Sequence, residues 1–142
     1  MRVLALDLGS KTIGCAVSDE EAVIATPLRT LSRRGGAVDR EAVAQVAREV
    51  GAEALVIGLP AELSGREGPA ALRVRRFGEA LAATLGLAVH YWDERFSTVA
   101  AERALLEANM GRKQRRGVVD HVAAALILQT FLDARRTREE PQ

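Results

Sequence analysis

Hydrophobic positions along the chain change their period from segment to segment, and the changes mark out strands and helices. Arg2 to Leu8 is a short apolar run closed by Gly9-Ser10 and predicts a strand. Thr12 to Ser18 predicts a second: Ile13, Cys15 and Val17 share one face, and Thr12, Gly14, Ala16 and Ser18 the other. The Gly-Ser-Lys link between them is short enough for a hairpin. Asp19-Glu20-Glu21 makes the next turn, and Ala22 to Leu31 predicts a third strand interrupted by Pro27. Proline cannot donate to a ladder, so the second half of that strand belongs at a sheet edge.

Beyond Gly35-Gly36 the period becomes helical. Val38, Ala42, Val43, Val46 and Val50 recur at helix spacing until Gly51 stops them. Ala54 to Leu59 is apolar without alternation, the pattern of a strand covered on both faces. Gly58 to Pro69 is rich in glycine and proline and predicts a loop. Ala70, Val74, Phe77, Leu81 and Leu85 form one stripe of a second helix ending at Gly86, and Leu87 to Trp92 predicts a fifth strand. Ser97 or Thr98 can cap a third helix through about Ala108. A basic run then reads as a loop, and Val118 to about Leu132 as the last helix, with a charged, frayed tail over 135–142. Hairpins followed by crossovers imply an α/β fold: a mixed five-stranded sheet with helices packed on it, in one domain spanning 1–142.

Composition narrows the function classes. Apolar residues make up 48% and charged residues 27%, as in ordinary globular proteins. The longest apolar run, Val122 to Leu128, is too short to cross a bilayer, so no membrane partner is expected. An acid at position 7 spoils a secretory signal, and the single Cys15 cannot make an intrachain disulfide; a cytoplasmic protein is expected. The net charge of +1 excludes a polycation wrapped on nucleic acid, so the distribution matters more than the sum. Arg112, Lys113, Arg115 and Arg116 sit together with no acid among them. Arg33 with Arg34, and Arg73 with Arg75 and Arg76, are smaller clusters that read as readily as solvated surface.

Some acids stand where apolar residues would be expected. Asp7 lies inside Val-Leu-Ala-Leu-Asp-Leu-Gly, where a charge costs several kcal/mol of desolvation unless it is paired or metal-bound. A turn-capping carboxylate is the bland alternative. Asp93-Glu94-Arg95 closes the fifth strand, and strand ends are where open α/β sheets place their sites. Adjacent side chains on a strand point to opposite faces, so one of these two acids faces Asp7. Arg95 either binds a phosphate or pairs with its neighbour. Asp120 begins an apolar, buried helix; the helix dipole favours an acid there, and so would catalysis. Converging carboxylates of this kind suit magnesium, which takes hard oxygen ligands, and phosphodiester hydrolysis by paired divalent ions. His121 adjoins Asp120 and reads as an exposed helix-start residue, His90 and Trp92 as packing on the sheet, and Cys15 as core. No Cys/His cluster and no Walker-type loop is present.

Four blocks stand out: Asp7-Leu-Gly-Ser-Lys-Thr-Ile-Gly-Cys-Ala-Val-Ser-Asp19, Val56-Ile-Gly-Leu-Pro60 with Ser64-Gly-Arg-Glu-Gly68, Asp93-Glu-Arg-Phe-Ser-Thr98 with Ala101-Glu102, and Asp120-His-Val-Ala-Ala-Ala-Leu-Ile-Leu-Gln129. In these blocks the chain resembles the YqgF/RuvX family, Holliday-junction-resolvase-like proteins also described as pre-16S rRNA nucleases. Four in order over nearly the whole chain are specific where one alone would be weak. The resemblance implies an RNase H-like fold and a metal-dependent endonuclease, with Mg2+ or Mn2+ as cofactor. By position, Asp7, Glu94 and Asp120 would be its catalytic and metal-holding carboxylates, with Asp93 a further candidate ligand. Lys11, Arg95 and the stretch Arg112, Lys113, Arg115, Arg116 would hold the nucleic-acid backbone, making binding salt-dependent. The family usually has arginine where this chain has Thr12, so a basic contact beside Asp7 is expected to be missing.

Hydrolysis would then leave a 5′-phosphate and a 3′-hydroxyl without a covalent intermediate. Maturation of the 5′ end of pre-16S rRNA is the expected role, with ribosomal particles as further partners, in a monomer or homodimer. One alternative is resolution of four-way DNA, which requires a symmetric dimer; another is a non-catalytic RNA- or ribosome-binding module. Asp-x-Gly followed by a glycine-bearing strand also opens actin- and sugar-kinase-like ATPases, but those need two such domains.

Overall fold

The computed structural model describes residues 1–60, 68–96 and 112–139, with side chains described for all of these except 96, 112–120 and 139. Five strands form one sheet: β1 (Val3–Leu8), β2 (Thr12–Ser18), β3 (Ala25–Ser32), β4 (Ala54–Leu59) and β5 (Ala88–Asp93), in the order β3-β2-β1-β4-β5. The first three are antiparallel neighbours, while β4 pairs parallel with β1 and β5 parallel with β4. The expected mixed sheet is therefore present. Pro27 lies on β3, which is an edge strand, and the β2–β3 register shifts between Cys15 and Ala16, opposite Arg29 and Pro27. One extra residue, Leu28, absorbs the donor that Pro27 lacks as a bulge.

Among the described residues three helices cover the sheet: α1 (Gly36–Val50), α2 (Pro69–Leu85) and α3 (Arg112–Glu139). Alternation along the central strands divides the core. Leu4 and Leu6 of β1, Ile13 and Cys15 of β2, and Leu55 and Ile57 of β4 pack with Val43, Val46, Phe77 and Leu81 of α1 and α2. Val3, Ala5, Ala16 and Val56 face the other way, onto Ala124, Leu128, Phe131 and Leu132 of α3. All six residues of β4 are buried, as its unbroken apolar run requires. Gly51 ends α1 with φ 67°, a left-handed conformation that costs glycine nothing, and its N–H closes the helix on the Ala47 and Arg48 carbonyls.

The third strand begins at Ala25, not Ala22, and three further features differ from expectation. The last helix begins at Arg112, not Val118, so the basic run opens a helix where a loop was expected. Arg, Lys and Gln are good helix formers, and Gly117 alone costs only about 1 kcal/mol, too little to stop a helix whose later turns are buried. That helix also runs on to Glu139, taking in most of the segment expected to fray. A 3-10 turn over Glu94–Phe96 follows β5 directly, a feature the periodicity did not show. The expected helix from 97 or 98 to 108 and the centre of the Gly58–Pro69 loop lie outside the described residues.

Phe131 couples α3 to the edge strand β5. Its ring lies 5.7 Å from Trp92 in an edge-on contact and 5.4 Å from His90, and it is 6% exposed. Trp92 in turn donates its indole N–H to Thr130 Oγ1 at 2.9 Å. Phe131→Ala is expected to lower the unfolding free energy by about 3–5 kcal/mol, measured by urea denaturation.

Candidate active site

β1 is the central strand and Asp7 its penultimate residue, on the face that Val3 and Ala5 turn toward α3. Asp7 is 6% exposed. Its partner on β2 is Gly14, and the next step of the parallel register beyond Leu6–Ile57 sets Gly58 beside it on β4. Glycine on either side leaves room beside the carboxylate within the sheet row. On β2, Gly14 pairs in turn with Thr30 of β3, whose hydroxyl lies 2.9 Å from His121 Nδ1 of α3. His121 is thus half-buried against the sheet, where an exposed residue was expected.

The same row decides between the two acids after β5. Trp92 pairs with Gly58 and Asp93 with Leu59, so Asp93 follows Leu59 toward the α1–α2 side. There it is held by Arg95, whose Nη2 reaches Asp93 Oδ2 at 2.6 Å and whose backbone N–H reaches Oδ1 at 2.8 Å. The Arg95 guanidinium keeps the Asp93 carboxyl below the usual carboxylate range. Glu94 opens the 3-10 turn and comes back over the sheet: its Oε1 lies 3.2 Å from where a Cβ on Gly58 would sit. The structure brings Asp7 and Glu94 to one cleft and leaves Asp93 outside its lining.

That cleft, of about 730 Å³, opens beyond the C-terminal ends of β1 and β4. Asp7, Glu94 and Asp39 line it, and so do Arg33, Arg34 and Arg73. Arg33 is locked in place. Its Nε donates to Asp39 Oδ2 at 2.8 Å, its Nη1 to the Gly9 carbonyl at 2.7 Å, and its backbone N–H to the Lys11 carbonyl at 2.8 Å. The guanidinium also lies 5.9 Å above the Phe77 ring. Asp39, 2% exposed on α1, accepts further hydrogen bonds from the backbone N–H groups of Arg34 and Gly35. Burial alone would raise its carboxyl, but the bonds from Arg33, Arg34 and Gly35 outweigh burial and hold it below the ordinary value of 3.8.

The Arg33–Asp39 pair went unrecognised in the sequence, where Arg33 with Arg34 read as readily as solvated surface. One signal was available: Asp39 stands four residues before Val43, on the buried stripe of α1 where an apolar residue belongs. The pair also bears on Thr12. A guanidinium does reach the turn after Asp7, but it arrives from the end of β3.

The remaining expected site residues are placed as follows. Lys11 is exposed in the β1–β2 turn, outside the cleft lining. Asp120 lies in the third turn of α3, not the first, because the helix starts at Arg112. The end-of-helix dipole therefore does not account for it. Arg112, Lys113, Arg115 and Arg116 occupy the opening turns of that helix. Cys15 is fully buried, and burial pushes its thiol up to about 12, with Arg29 opposing, which suits a core residue.

A family model described as "RuvX: Holliday junction resolvase" matches residues 1–134. This chain belongs to the RuvX family. A relative from Moorella thermoacetica, named "Putative pre-16S rRNA nuclease", is 50% identical over 133 residues, covering 94% of this chain and 95% of its own. One of the same name from Myxococcus xanthus is 50% identical over 136 residues, covering 96% and 90%. Among solved structures, Thermus thermophilus RuvC in complex with a Holliday junction superposes with a TM-score of 0.65 at 17% identity over 96% of both chains. The fowlpox virus Holliday junction resolvase superposes with a TM-score of 0.57 at 12% identity, covering 94% of this chain and 99% of its own. At these identities the structures establish the fold, which is RNase H-like as expected. The RuvX chain is a nuclease, a hydrolase of phosphodiesters.

Two substitutions test the geometry. A Cβ on Gly58 would fall 2.6 Å from Ile127 Cδ1 as well as against Glu94. Gly58→Ala is therefore expected to cost about 1–3 kcal/mol, and adding Ile127→Val, which removes Cδ1, should recover part of it in thermal denaturation. Asp39→Asn leaves Arg33 without its carboxylate and is expected to cost about 2–4 kcal/mol near neutral pH. Because the folded carboxyl titrates below its unfolded value, that stabilisation is present above about 3.8 and disappears as pH falls through the folded value. Wild type and variant should converge in acid, as read by denaturation at a series of pH values.

Proposed function

We propose that this RuvX nuclease is a divalent-metal-dependent endonuclease that matures the 5′ end of pre-16S rRNA in the cytoplasm. The observation that carries the proposal is the convergence of buried Asp7 and Glu94 on one cleft that three arginines also line. Two carboxylates without sulfur or imidazole form a hard-oxygen donor set suited to magnesium or manganese. Asp120 of α3 completes the proposed set. When bound, the ion supplies positive charge at the phosphate and makes water a competent nucleophile near neutral pH.

Each protein group has a distinct part. Asp7, fixed by the central strand, and Glu94, fixed by the 3-10 turn over Gly58, present their oxygens to the cleft. Asp93 stays with Arg95, which leaves Glu94 as the carboxylate from this segment. The Arg33–Asp39 pair holds the Gly9–Lys11 turn and with it the end of β1, so that Asp7 keeps its position when a charged strand enters. The basic opening of α3 and Lys11 offer further cationic groups to a backbone. No helix among the described residues is long and apolar enough to cross a membrane. The rRNA assignment is supported by the names of the half-identical relatives.

The test is cleavage of precursor 16S rRNA beside a four-way DNA junction, with magnesium or manganese, by wild type and Asp7→Asn. RNA cut by wild type, and slowed at least about 100-fold in the variant, is the expected result; loss of an outer partner of a metal site alone costs 10–100-fold. Cutting of the junction alone would make the protein a resolvase. Equal function of wild type and variant would make it a binding module.

A further inference from the structure

The arginines that share the cleft with the acids have a use that the carboxylate chemistry does not exhaust. Arg33 comes from the end of β3, Arg34 from the turn before α1 and Arg73 from the second turn of α2, yet all three line one cleft. Their states differ. Arg33 is committed to Asp39 and to the Gly9 carbonyl. Arg34 and Arg73 are exposed, and among the described residues neither side chain is ion-paired. With Arg33 paired to Asp39, the lining offers two forked guanidiniums in the cleft that Asp7 and Glu94 also line.

Two further features favour an anion there. Gly35, at the N-terminal end of α1, and Ala70, in the first turn of α2, both line the cleft, so two helix ends with positive dipole charge converge on it. The volume of about 730 Å³ falls within the about 300–1,000 Å³ of sites that enclose a small ligand, room for a nucleotide unit but not a duplex. A guanidinium fork matches phosphate oxygens two at a time, which makes arginine apt for this position.

We propose that Arg34 and Arg73 form a phosphate subsite that holds the backbone of the nucleic-acid strand next to the bond cut at Asp7 and Glu94. Arg33 is the positioning residue behind it: tied to Asp39, it fixes the turn after β1. The subsite rests on the nuclease reading for its ligand. It gives the strand a direction across the cleft, one phosphate on the arginines and the scissile one at the carboxylates. It also answers the absence of arginine at position 12, since cationic contact is supplied from β3, α1 and α2 instead.

The experiment is binding, separate from cleavage. Fluorescently labelled single-stranded RNA and a four-way DNA junction are titrated with the full chain in EDTA, over a range of salt concentrations. For single strands each lost phosphate contact lowers the slope of log K against log salt by about 0.7, so Arg34→Ala with Arg73→Ala should lower it by about 1.4. Arg29→Ala with Arg48→Ala removes the same charge outside the cleft, where both arginines pair with glutamates, and should leave the slope within error. Should the alanine pair disturb α2, as judged by circular dichroism, Arg34→Gln with Arg73→Gln gives the same reading. An effect on RNA alone or on the junction alone identifies which strand the subsite takes. The proposal is overturned if the cleft variant keeps the wild-type slope, if the outside variant lowers it equally, or if wild type binds neither ligand. A lowered slope without any cleavage by wild type would remove the endonuclease reading and leave the subsite standing. Normal cleavage with an unchanged slope would do the reverse.

Discussion

The rest of the structure depends on accommodating a carboxylate at the end of the central strand. Asp7 is 6% exposed, with strands bonded on both sides and helices on both faces. An isolated charge in such a place is costly, and the chain accommodates it with local room and opposite charge. Room comes from Gly14 and Gly58, the neighbours of Asp7 in the sheet row. Arg33, Arg34 and Arg73 line the same cleft, and in the proposed function a bound cation supplies the opposite charge.

That requirement explains features that would otherwise look unrelated. Gly58 sits in an otherwise large-residue strand because Ile127 of α3 and Glu94 of the 3-10 turn close over it. Strand alternation already turns Glu94 to the face of Asp7, opposite to Asp93, and the 3-10 turn brings it back over Gly58. On the other side of the site, the Arg33–Asp39 pair joins the end of β3, the start of α1 and the turn after β1. Its stabilisation is local, but its position makes it a brace for the site.

The division of the fold into two faces also separates structural from chemical duties. The α1–α2 face is packed by large aliphatic residues, and its charged groups are braced, as Arg33 is by Asp39. The α3 face carries the acid row and is fastened at two points, His121 on Thr30 and Phe131 with Thr130 on the His90–Trp92 edge. Between these fastenings the helix passes over β2, β1 and β4, so the segment holding Asp120 is brought to the sheet by packing further along.

Local pattern alone determined the strands, the first two helices and the edge position of β3, because apolar period, glycine stops and a single proline are written in adjacent residues. It also picked out Asp7, since a charge within an apolar strand is visible without a partner. It could not choose between Asp93 and Glu94, which depends on a 3-10 turn and on the β4–β5 register. The start of α3 was misread because four cations look like a loop until a buried helix extends into them. Arg33 was passed over because its value lies in Asp39 and Gly9, which are near it only after β3 has paired with β2. The sequence by itself determined which elements form and that an acid must be accommodated in the central strand. Only the tertiary structure decided which groups meet that acid, because register and helix docking set those distances between residues far apart in the chain.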